Sequence, residues 1–62
     1  MKNIIDQDEV IYIAEVMIKH GGSFVQALGH ALIHADPMNQ IKIKRAFPEY
    51  WEKYTEMAKK NE

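Results

Sequence analysis

The sequence contains no cysteine among its 62 residues. That absence excludes disulfide bonds and thiolate metal sites, two devices that stabilise many domains of this size. A chain this short buries only about 60% of the surface that it exposes when unfolded. Because 47% of the residues are hydrophobic, we expect residues 1–62 to form one domain that associates with further copies of itself or with a protein partner.

Long hydrophobic runs and a strong excess of one charge are also missing. No apolar run approaches the roughly 20 residues of a membrane-spanning helix, and the stretch from Asp6 to Glu9 is too acidic for a secretory signal. The sequence therefore predicts a cytoplasmic protein without membrane contact. The net charge of −1 gives no general attraction to nucleic acid, although residues 37–62 carry six bases against four acids.

Glycine and proline are few, and they divide the chain into four segments. Gly21-Gly22 separates the first two segments, and Pro37 and Pro48 begin the third and fourth. Within each segment apolar residues recur three or four positions apart, which is typical of amphipathic helices. We predict an all-α fold, a small bundle of three to four short helices that is oligomeric. The alternating segment Ile41–Lys44 leaves a short strand as an alternative.

The first helix carries two apolar stripes after a cap at Asp6. Ile11 and Ile18 form the second stripe, which predicts a second packing partner such as another subunit. The first stripe predicts the core and consists of Val10, Ile13, Ala14 and Met17.

The second helix is predicted to start at Ser23, which caps it together with Gln26 in a capping box. The preceding glycines would end the first helix in the left-handed conformation. Apolar spacing predicts a buried face made of Phe24, Leu28, Ala31, Leu32 and Ala35.

Two further helices follow, each begun by a proline. Asp36 is the expected cap of the third. The inward residues predicted for this part of the chain are Ile43, Ala46 and Phe47 in the third helix and Trp51, Tyr54 and Ala58 in the fourth.

Three motifs of the segment from Gly21 to Tyr54 resemble those of small phage-encoded and prophage-encoded helical proteins, mostly uncharacterised. They are Ala27-Leu28-Gly29, the turn Ala35–Asn39, and the segment Ala46–Trp51. The resemblance covers just over half of the chain and implies an origin in a mobile element. It favours a protein that inhibits or sequesters part of the host machinery.

One candidate site is the junction between the first two helices, where backbone N–H groups at a helix start can bind an anion. Its residues are Lys19, His20, Gly21, Gly22 and Ser23. A plain turn between two helices explains the same pattern. The longer glycine-rich sequence of a nucleotide-hydrolysing phosphate loop is absent.

His30 and His34 share a helix face, a spacing that can hold a metal ion. No third ligand is evident, so we predict no metal and no cofactor, although a partner subunit could complete such a site. The first two helices also match a helix-turn-helix in outline. The second helix offers only Gln26, His30 and His34 for reading bases and has no Lys or Arg.

A second candidate surface, for a protein partner or nucleic acid, combines bases with aromatic residues. Its members are Lys42, Lys44, Arg45, Tyr50 and Trp51. Catalysis is not expected, because no serine has a base and an orienting acid at recognisable spacing. The sequence thus favours a non-enzymatic binding protein whose ligand is a host protein or an anionic, nucleotide-like molecule. The alternative is a small nucleic-acid-binding regulator.

Overall fold

The computed structural model describes residues 6–60, which form four α helices and no strand. The helices are α1 (Gln7–His20), α2 (Ser23–His34), α3 (Pro37–Ala46) and α4 (Pro48–Lys60). The all-helical prediction is confirmed. The strand alternative for Ile41–Lys44 is wrong, because this segment lies within α3, which the proline start favours.

Helix α1 lies at the centre and packs against α2 and α4. The Asp6 carboxylate caps it by accepting a hydrogen bond from the Asp8 N–H at 3.0 Å. The whole predicted core stripe is buried, and Val16 is buried beside it. These side chains form the core with Val25, Leu32 and Tyr54 from α2 and α4.

The second stripe of α1 is only partly covered within the described chain, since Ile18 lies near Gly29 of α2. Ile11 is 46% exposed and Ile18 is half-buried. Neighbouring Tyr12 is 54% exposed. An apolar surface therefore remains along this side of α1.

The glycines between α1 and α2 do not adopt the predicted left-handed conformation, since φ is −83° at Gly21 and −74° at Gly22. Glycine is required at position 21 instead because there is no room for a side chain. A Cβ atom there would lie 2.4 Å from Val25 Cγ1 and 2.6 Å from the Met17 carbonyl oxygen. At Gly22 a Cβ would meet no atom within 4 Å.

The predicted capping box at Ser23 is also wrong. Ser23 is the first residue of α2, Gly22 occupies the cap position, and no side chain caps the helix. The Gln26 side chain turns back, and its Nε2 donates to the Gly21 carbonyl oxygen at 3.2 Å. The first-turn N–H groups of α2 therefore lack the side-chain acceptor that Asp6 gives α1.

The buried face of α2 matches the predicted one only in part, since Leu32 is buried as predicted and Leu28 and Ala35 are half-buried. Val25, Gly29 and Leu32 are buried, whereas Phe24 is 54% exposed and Ala31 is exposed. The cause is a close approach to α1 at Gly29. A Cβ there would lie 2.9 Å from the Ala14 carbonyl oxygen and 2.9 Å from Ile18 Cγ1.

Helix α3 starts as predicted, with the Asp36 carboxylate accepting from the Asn39 N–H at 2.8 Å. Its most buried residue is polar: Gln40 is 3% exposed. The Gln40 amide exchanges two hydrogen bonds with Gln7, at 2.9 and 3.1 Å, and donates to the Ala35 carbonyl oxygen at 3.1 Å. These bonds tie α3 to the start of α1 and to the end of α2.

The predicted inward residues of α3 and α4 are only partly correct. Ala46 is exposed, because the groove beside it is open, while Ile43 and Phe47 are half-buried. In α4 Tyr54 is buried, and Trp51 and Ala58 pack half-buried against the core.

Within residues 6–60 no helix is long and apolar enough to span a membrane.

Candidate functional site

Three aromatic rings meet at one corner of the bundle, and we call Phe24, Phe47 and Tyr50 the aromatic cluster. The Phe24 and Phe47 rings lie edge to face with centroids 5.7 Å apart, and both rings lie 6.1 Å from the Tyr50 ring. Phe24 comes from the first turn of α2, Phe47 from the α3–α4 junction and Tyr50 from the first turn of α4. Three separate elements thus place the rings side by side.

The cluster lies partly in solvent, since Phe24 is 54% exposed and Phe47 and Tyr50 are half-buried. Aromatic side chains dominate the energetics of protein interfaces because they present large rigid surfaces. Tyr50 was predicted to belong to a contact surface, whereas Phe24 and Phe47 were predicted to lie in the core. No local pattern indicated that Phe24 differs, because its spacing fits the predicted buried face of α2.

An open groove between α2 and α3, of ≈ 460 Å³, begins beside the cluster, and we call it the α2–α3 groove. Phe47 belongs to both the groove and the cluster. Small apolar residues give the groove a mostly apolar wall, while His34, Asn39 and Lys42 bring polar groups to it. The other lining residues are Ala31, Ala35, Ile43 and Ala46.

The charge around this groove is one-sided. From Ser23 to Ala46 the sequence has a single acid, Asp36, and three bases. The Asp36 carboxylate is already engaged with the Asn39 N–H. Among the described residues, Lys42 is the one Lys or Arg that lines the groove, and no acid lines it, so the groove favours acidic groups.

The predicted basic and aromatic surface is not a single patch. The Lys44 ammonium lies 5.8 Å from the centre of the Trp51 ring, a cation–π contact on the α4 side of α3. Lys42 lines the groove instead. Because each residue of a helix adds about 100° of rotation, Lys42 and Lys44 point about 160° apart. Arg45 is exposed, and Tyr50 belongs to the aromatic cluster.

The residues of the helix junction lie next to Phe24 in the chain. Lys19, His20, Gly22 and Ser23 are exposed, and Gly21 is half-buried. The Gly21 N–H is engaged with the Met17 carbonyl oxygen at 2.9 Å. The uncapped first turn of α2 is the feature here that could attract an anion, and the anion-binding role of these five residues stays a prediction.

His30 and His34 are both exposed on α2. In the part of the chain that the structure describes, no three His, Asp or Glu side chains are grouped so that they could hold a metal ion. Gln26, the third residue considered for reading bases, is held by its hydrogen bond to Gly21.

Comparison of the chain with protein families, with curated proteins and with solved structures gives no match.

Proposed function

We propose that the chain is a non-enzymatic, phage-encoded accessory protein that binds a host protein in the cytoplasm and so inhibits or sequesters it. The observation that carries this proposal is the aromatic cluster, whose Phe24 ring is 54% exposed. The phage origin is supported by the resemblance of the segment from Gly21 to Tyr54.

The surroundings of the cluster define the chemistry of the partner. The three rings lie side by side at one corner of the bundle, so the contact surface extends beyond a single ring. From Ser23 to Ala46 three bases outnumber one acid, Asp36, whose carboxylate accepts a hydrogen bond from the Asn39 N–H. This excess of positive charge favours a partner segment with acidic residues. The partner is therefore an acidic host protein that offers an apolar anchor to Phe24.

A protein partner fits the shape of this surface better than a small ligand does. Small-molecule sites enclose most of their ligand, whereas the aromatic cluster lies at the surface with Phe24 54% exposed. The alternative of an anionic, nucleotide-like ligand is supported by the uncapped start of α2. The nucleic-acid alternative has less support, because Lys42 and Lys44 point to different sides of α3 and α2 carries no Lys or Arg.

Self-association is part of the proposal and is supported by apolar side chains that the described chain leaves in water. Ile11 is 46% exposed on α1, and Ile33 is 43% exposed on α2. Burial of such side chains between copies would add to the stability of a chain with so small a core.

The proposal is tested by cross-linked capture from host cells that express the tagged chain, followed by purification of the captured protein. The Phe24→Ala variant should lose that protein, because truncation of an aromatic anchor typically costs about 2 kcal/mol of binding energy. Met38→Ala is the matched control, since Met38 is 68% exposed and lies outside both cluster and groove. Equal capture by both variants would refute the role of the cluster, and an uninhibited captured protein would refute the function.

Gly22→Asp separates the anionic ligand from the protein partner. An Asp at this position has open space and supplies a carboxylate to the first-turn N–H groups of α2, as Asp6 does for α1. The substitution should stabilise the fold slightly while blocking any anion. We expect it to leave capture of the protein partner unchanged. Loss of a bound small anion in Gly22→Asp, with no protein captured by the wild type, would replace the proposal by the anionic ligand.

A further inference from the structure

One exposed face of α1 carries the acidic side chains that the α2–α3 groove lacks. Asp8, Ile11, Tyr12 and Glu15 lie together on this face, which we call the acidic face of α1. All four side chains are exposed, including Ile11 at 46% and Tyr12 at 54%. On the acidic face, Ile11 and Tyr12 lie between the carboxylates of Asp8 and Glu15. The opposite side of α1 packs in the core.

The groove is complementary to the acidic face in charge, composition and length. It offers apolar side chains together with Lys42 and His34, and no acid is among its lining residues. The acidic face spans seven residue steps from Asp8 to Glu15, about 10 Å of helix. The α3 side of the groove spans seven steps from Asn39 to Ala46, about 10 Å by the same rise.

We propose that the acidic face of α1 of one copy docks in the α2–α3 groove of the next copy. Ile11 and Tyr12 then pack against the apolar groove, and Glu15 lies near Lys42. This goes beyond the proposed function, which names a host partner at the aromatic cluster and leaves the contact between copies open.

A two-fold contact between identical surfaces is disfavoured by their charges. Two acidic faces would bring Asp8 and Glu15 against the same carboxylates of the other copy, and two grooves would oppose their lysines. Contact between unlike surfaces avoids this repulsion. Such a contact is either reciprocal in a two-fold dimer, with each acidic face in the groove of the other copy, or head to tail, which generates a closed ring or an open filament.

Assembly of copies would also affect how strongly the host partner binds. Phe24 is not among the residues that line the groove, so each copy keeps this ring free when its groove is filled. Phe47 lines the groove and would contact the docked copy, so an assembly would present several Phe24 rings at once, and multivalent contact raises the overall strength of binding.

Charge reversal in two separate chains tests the docking. We expect Glu15→Lys and Lys42→Glu each to assemble at least about tenfold more weakly than the wild type, because each brings like charges together. An equal mixture of the two variants should assemble again, since each mutated surface then meets its complement. Sedimentation velocity of the full chain measures the assembly, and native mass spectrometry counts the copies.

The matched controls are Glu52→Lys and Lys60→Glu, which change the net charge by the same amounts at exposed positions of α4. Both should assemble as the wild type does. Circular dichroism checks that every variant is folded. Single variants that assemble normally, a mixture that stays dissociated, or a wild type that remains a single subunit at millimolar concentration would each overturn the proposal. None of these results depends on the host partner, which is tested separately through Phe24.

Discussion

Gly29→Ala should destabilise the protein although alanine is the better helix former. In an unconstrained helix this change would add about 1 kcal/mol to the free energy of unfolding. At Gly29 the new Cβ would lie 2.9 Å from the Ala14 carbonyl oxygen and 3.1 Å from Met17 Cβ. Because a backbone oxygen cannot rotate away, α1 and α2 must separate, and overpacking of this kind costs up to about 3 kcal/mol. We expect a net loss of about 2 kcal/mol.

The assay is thermal and urea unfolding at one fixed protein concentration, because self-association would make the midpoint depend on concentration. A loss of about 2 kcal/mol lowers the midpoint temperature by roughly 8–16 °C in a domain of this size. Ala27→Gly is the control, since Ala27 is exposed on the same helix and the reverse change there should cost about 1 kcal/mol. If Gly29→Ala instead gains as much stability as Ala27→Gly loses, the close approach of α1 and α2 is refuted.

Two more predictions concern the polar contacts that fix α3. Asp36→Ala should lower the free energy of unfolding by about 1 kcal/mol because the Asn39 N–H loses its acceptor, and Asp36→Asn should recover most of that loss. An unchanged urea midpoint in the alanine variant would contradict the cap. Gln40→Ala should cost about 2 kcal/mol, since it removes a buried amide and its bonds to Gln7 and the Ala35 carbonyl oxygen. Gln7→Ala should also lower the free energy of unfolding, because it leaves the buried Gln40 amide without two of its hydrogen bonds, and an unchanged urea midpoint would contradict this pairing.

The helix boundaries and the α1 core were predictable because they depend on local sequence. Pro37 and Pro48 start α3 and α4, and Asp36 caps α3, as the sequence indicates. The core stripe of α1 follows from its spacing, because the residues of one helix face repeat every three or four positions. The uncovered position of Ile11 was visible in the same way, as a second stripe on the same helix.

The orientation of α2 could not be obtained from spacing alone. The predicted face with Phe24 and Ala31 and the observed face with Val25 and Gly29 both follow a helical period. Contact with the Ala14 carbonyl oxygen selects the second face, and that contact depends on how α1 and α2 meet in space. The aromatic cluster was missed for this reason, since the wrong orientation placed its most exposed ring in the core.

The buried amide pair was missed for a related reason. Gln40 and Gln7 are separated by 33 positions, and a glutamine gives no local indication that a distant side chain will satisfy it. The arrangement of the predicted basic residues also depends on geometry, and their binding role stays a prediction. Lys42 and Lys44 are close in sequence, but two steps along a helix turn them to different sides of α3.

The central claim is that the exposed aromatic cluster binds a host protein. Its most direct test is calorimetric titration of the purified host protein into wild-type chain, Phe24→Ala and Met38→Ala. We expect Phe24→Ala to bind about thirtyfold more weakly, a loss of about 2 kcal/mol of binding free energy. Met38→Ala should keep the wild-type affinity. Equal affinities of the wild type and Phe24→Ala would contradict the claim.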